Sequence, residues 1–116
     1  MSTLTKVQEL QFELMKLASF NSFDGEKVVA DLIKHKDLWQ GCILDREDLM
    51  KLRDISDNCW TADTLYILTT GKNDKKLQKL AKKWKADAVD CLSGEDASRK
   101  LGTSDLQGQV LRVWWD

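Results

Sequence analysis

Proline is absent from the 116 residues, where average usage of ~5% would supply about six. Without it no polyproline segment or Pro-stiffened linker can form, and turns must come from Gly, Asn, Asp and Ser. Histidine and tyrosine occur once each, and the three cysteines, Cys42, Cys59 and Cys91, form no CxxC. A Cys/His zinc site needs ligand clusters that His35 and these scattered thiols do not supply. Long apolar runs are also missing. The longest, Leu65-Tyr66-Ile67-Leu68, is far below the ~18 residues of a membrane helix. The N-terminal stretch has no unbroken apolar core of the ~7–15 residues a secretory signal uses. The expectation is a cytoplasmic chain with reduced cysteines and no membrane partner. Neither charge sign is in excess, with 18 Lys+Arg against 19 Asp+Glu and a net charge of −1. That excludes a wholly basic nucleic-acid binder and an acidic tail protein.

What is present is enough for one core. Hydrophobic residues make up 42% of the chain, and this length suits one domain over 1–116, since each half of a split would be too small. Residues 3–20 read as a helix, with Leu4, Val7, Leu10, Leu14, Met15, Leu17 and Ala18 on one face. Phe12 falls off that stripe. A second helix opens at Asp24-Gly25-Glu26 and runs to about Lys36, completing an N-terminal helical pair. Strands are expected at Leu38–Leu44, Thr64–Thr69, Ala88–Leu92 and Gln109–Trp115, and helices at 46–54, 74–85 and from Ser93 to Gly102. About four short strands alternating with helices predict a single layered α/β domain, with a largely parallel sheet.

Charge is segregated within the balanced total. Residues 71–87 hold seven lysines and two aspartates, so this segment is +5 and the remainder −6. Lys72, Lys75, Lys76, Lys79, Lys82 and Lys83 form a candidate basic contact face for phosphates or an acidic partner, with Lys85 just beyond. The i,i+4 pairs Lys75–Lys79 and Lys79–Lys83 repel each other. Trp84 lies on the apolar side of the same helix, seven residues after Leu77. A solvated lysine face over a Leu/Trp stripe is the simpler account of the same segment.

Leu65-Tyr66-Ile67-Leu68-Thr69-Thr70-Gly71, then Leu80-Ala81-Lys82, Val89 to Leu92 and Ser93-Gly94, resembles the strand–TTG–helix–strand tail of restriction-endonuclease-like domains. The resemblance covers about a quarter of the chain. That family's metal site uses an Asp followed by Glu-x-Lys or Gln-x-Lys, and neither tripeptide occurs here. The resemblance therefore implies a catalytically inactive relative associated with nucleic acid.

Other chemistry is sparse. No GxSxG, Walker A or GxGxxG pattern occurs. Asp45, Glu47 and Asp48 sit at one strand-to-helix junction, and Asp90, Glu95 and Asp96 near another. Such clusters can hold Mg²⁺ for hydrolysis or phosphotransfer, or simply cap helices. Five tryptophans are an unusual number. Phe12, Trp39, Trp60 and Trp114 are candidates for an exposed patch covered by a second copy, since Trp is enriched at interfaces. The reading is a non-enzymatic binding domain without catalytic residues, cofactor or metal, partnered by itself or by an acidic molecule. A nucleic-acid-associated protein is the alternative.

Overall fold

The computed structural model describes residues 4–20, 23–45, 52–58, 60, 62–69, 74–92, 94–101 and 109–115. Thr5 opens the first helix, α1 (Lys6–Leu17), by accepting the Gln8 amide proton at 3.1 Å. A two-residue antiparallel pair, β1 (Ser19–Phe20) and β2 (Phe23–Asp24), turns the chain. Asp24 then caps α2 (Gly25–Lys34) through the Lys27 amide at 3.3 Å. These caps satisfy amides that helix starts leave without partners. Gly25 is needed because α2 crosses α1 closely: a Cβ there would overlap the Met15 carbonyl oxygen.

A 3-10 turn (Lys36–Leu38) leads to β3 (Gly41–Asp45), α3 (Leu52–Ser56), β4 (Thr64–Thr69), α4 (Asp74–Lys83), β5 (Ala88–Leu92), α5 (Gly94–Leu101) and β6 (Gln109–Trp114). The layered α/β class, the N-terminal helical pair and the four-stranded main sheet are as the sequence predicts. Its direction is not. The order is β3-β4-β6-β5, and every neighbouring pair is antiparallel. β4 and β5 both oppose β6 and so run parallel to each other, with α4 as the crossover expected of such strands. β6 enters between them. Strand–helix alternation records the crossover but not the strand that later separates its two ends.

Side chains alternate across the sheet. Cys42, Leu44, Leu65, Ile67, Val89, Leu111 and Val113 point to one face and meet Phe12, Met15, Val28, Leu32, Leu77, Ala81 and Trp84 in one continuous core. α5 lies over the other face, where Lys100 sits 4.0 Å from the Tyr66 ring centroid. β4 is central and apolar on both sides, as its unbroken run predicts.

α1 is rotated from its expected setting by roughly 70° about its axis, taking 100° per residue. Phe12 and Met15 are buried, while Val7, Leu10, Leu14 and Leu17 face outward. The cause lies at β3, an edge strand whose outward backbone groups need partners. Gln8 accepts the Cys42 amide proton at 2.9 Å and donates to the Cys42 carbonyl at 2.9 Å, and Gln11 accepts the Leu44 amide proton at 3.1 Å. Two glutamines three residues apart thus turn their side of the helix inward.

Candidate functional site

Three surfaces are candidates. The first is α4. Lys75, Lys76, Lys79, Lys82 and Lys83 are all exposed, while Leu77, Ala81 and Trp84 are buried beneath them. Among the described residues only Lys83 of these five finds a carboxylate, Asp31 at 3.7 Å. Asp31 also accepts the Trp84 indole proton at 2.8 Å, tying the end of α4 to α2. Lys72 lies outside the described residues.

The second is the outer face of α1. Val7, Leu10, Leu14 and Leu17 are 78%, 54%, 39% and 56% exposed. Their 3-4-3 spacing is the a/d pattern by which one helix packs along another. α1 carries Lys6 and Lys16 against Glu9 and Glu13, with Lys16–Glu13 at 3.2 Å, so the helix has no net charge. Sequence reading placed these four on one helix face together with Leu4, Met15 and Ala18, and left Phe12 off it. The available signal was the width of the apolar arc, since Phe12 extends it beyond the leucine stripe.

The proposed aromatic patch does not form, and this corrects the expectation. Phe12 and Trp39 are 2% and 4% exposed and meet edge to face at 5.8 Å inside the core. Trp60 is half-buried against that core, and Trp114 is half-buried on the opposite sheet face. The four residues share no surface.

The third is a groove of about 220 Å³ on the α5 side, lined by Ile43, Tyr66, Leu68, Lys100, Leu101 and Val110 among others. Lys100 of this lining lies 3.6 Å from Asp45.

The acidic residues do not converge. Asp45 and Asp90 share the α5 side of the sheet but occupy its opposite edge strands, at least about 14 Å apart between backbones at ~4.8 Å per strand. Each meets a cation: Asp45 with Lys100, Asp90 with Arg112 at 3.1 Å. Asp96 meets Arg99 at 3.7 Å. Glu47 and Asp48 lie outside the described residues. No group of three or more His, Cys, Asp or Glu gathers among the described residues as around a metal ion.

Cys59 lies outside the described residues, and the two described thiols, Cys42 and Cys91, are poor nucleophiles. Burial pushes Cys42 up to about 12, against the lowering influences of Gln8 and Lys36. Desolvation first, then the Asp74 and Asp90 charges, also raise Cys91. Both are free thiols on opposite sheet edges, beyond the ~7 Å Cα separation a disulfide tolerates. No helix among the described residues is long and apolar enough to cross a membrane. Comparison with known protein families, curated proteins and solved structures finds no match. The likeness of residues 65–94 to restriction-endonuclease-like domains therefore rests on those residues alone.

Proposed function

We propose that this chain is a non-enzymatic, cytoplasmic interaction domain that self-associates through α1. The observation that carries the reading is the Val7, Leu10, Leu14 and Leu17 stripe. It covers three turns of a helix whose own charges cancel, so two copies can approach without repulsion. Burying such side chains contributes about 1–2 kcal/mol each, or on the order of 10 kcal/mol for two copies. Set against the roughly 4–15 kcal/mol cost of association, this supports a dimer in the micromolar range or weaker. The free thiols suit a reducing compartment.

Sedimentation velocity over a concentration series tests the reading. The wild type should gain mass with concentration, and the Leu10→Glu, Leu14→Glu double variant should stay monomeric with unchanged helical circular dichroism. A wild type that is monomeric throughout overturns it.

The exposure of α4 favours a second reading, a surface for the nucleic-acid backbone. If Lys75, Lys76, Lys79 and Lys82 contact phosphates, affinity falls with salt at a log–log slope of about −0.7 per contact for a single strand. A flat titration overturns this reading.

A further inference from the structure

Where α4 ends against the start of α2, a cleft of about 110 Å³ is lined by Lys27, Lys83 and Lys85, with Val28, Trp84 and Asp24 completing it. Its lysines come from two elements far apart in sequence. Lys27 stands in the first turn of α2, Lys83 closes α4, and Lys85 follows in the left-handed conformation at φ 62°. We propose that this cleft binds a phosphate group.

Charge and shape support this choice. Three lysines and one carboxylate residue, Asp24, are among the six residues lining a space of small-anion size. Asp24 is engaged in capping the Lys27 amide. Asp31, 3.7 Å from the Lys83 ammonium, also accepts the Trp84 indole proton, and a phosphate shares Lys83 with it. Phosphate offers three strong acceptor oxygens and up to two negative charges, so it can answer three lysines at once; a carboxylate offers two oxygens and one charge. Val28 and Trp84, both buried, form the apolar part of the lining. The site is independent of pairing through α1. Its phosphate can belong to a free monoester or to a nucleic-acid strand leaving along the α4 lysines, and the chemistry at the cleft is the same.

The test uses the full chain and inorganic phosphate, followed by NMR of the tryptophan indole protons at constant ionic strength. The Trp84 indole, bonded to the partner of Lys83, should shift saturably in the millimolar range. Lys85→Gly removes one cation and suits the left-handed turn. Combined with Lys27→Gln, it should weaken phosphate by about tenfold, with the Trp39 indole unchanged as a folding control. A linear response, an equal response to chloride, or full binding in the double variant overturns the proposal. A short thymidine strand then separates the sources. Displacement of phosphate by the strand, with affinity lowered by Lys75→Ala and Lys79→Ala, supports a backbone phosphate. Binding of inorganic phosphate that the strand leaves untouched supports a free monoester.

Discussion

Trp39, Trp84 and Trp115 are nearly inaccessible, and each indole proton is accepted by another element. Trp39 donates to the Leu32 carbonyl at 2.9 Å, Trp84 to Asp31, and Trp115 to the Trp84 carbonyl at 3.0 Å. The surplus of tryptophan thus has a structural use, joining helices and sheet with one large apolar body and one directed bond each. At Gly25 the constraint is space. Gly25→Ala should destabilise the fold by about 1–3 kcal/mol through overpacking against α1, read as a lower urea midpoint at unchanged slope. For Cys42 the constraint is solvation. A thiol raised to about 12 in the fold, against 9.0 as its reference, ionises earlier in the unfolded chain. Its contribution to stability is therefore full below pH 9 and is lost as pH rises toward 12. Iodoacetamide at pH 8.5 should label Cys91 well before Cys42, checked by mass spectrometry of the folded protein.

At the scale of elements, much was legible in the sequence. The strands Thr64–Thr69 and Ala88–Leu92 stand where apolar runs and turn residues put them, and Trp84 falls in the core as its spacing from Leu77 predicts. The azimuth of α1 was not legible, because it depends on Gln8 and Gln11 meeting backbone groups more than thirty residues away. Periodicity ranks side chains by apolarity and cannot see a polar side chain that docks by hydrogen bonding. Lys75, Lys76, Lys79, Lys82 and Lys83 are exposed along α4, and Lys27 comes near them only through tertiary packing. On α4 itself, the like-charge neighbours make a prediction. Lys79→Glu replaces two repulsive i,i+4 pairs with attractive ones, each worth a few tenths of a kcal/mol. It should raise Tm by about 2–4 °C at low salt, with a smaller gain at high salt in a calorimetric scan.

For the molecule as a whole, class was legible and topology was not. The alternation of strands and helices reports local pattern, whereas the order β3-β4-β6-β5 brings the last strand beside β4, across about forty residues of intervening chain. That pairing is decided by which apolar faces complete one core, and no local signal carries it. Gln109–Trp114 fits the central slot because Val110, Leu111 and Val113 are buried while Arg112 reaches Asp90 on β5.

The glutamines of α1 have a consequence beyond positioning a helix. An open edge strand is a template on which another chain can add by backbone pairing, the first step toward amyloid-like stacking. Gln8 and Gln11 occupy the outward-facing Cys42 amide and carbonyl and the Leu44 amide, three of the groups on which a new strand would pair. The Gln8→Ala, Gln11→Ala variant should therefore remain helical yet form thioflavin-positive aggregates at concentrations the wild type tolerates. Equal clarity of the two proteins over days at 37 °C would show that this edge needs no guard.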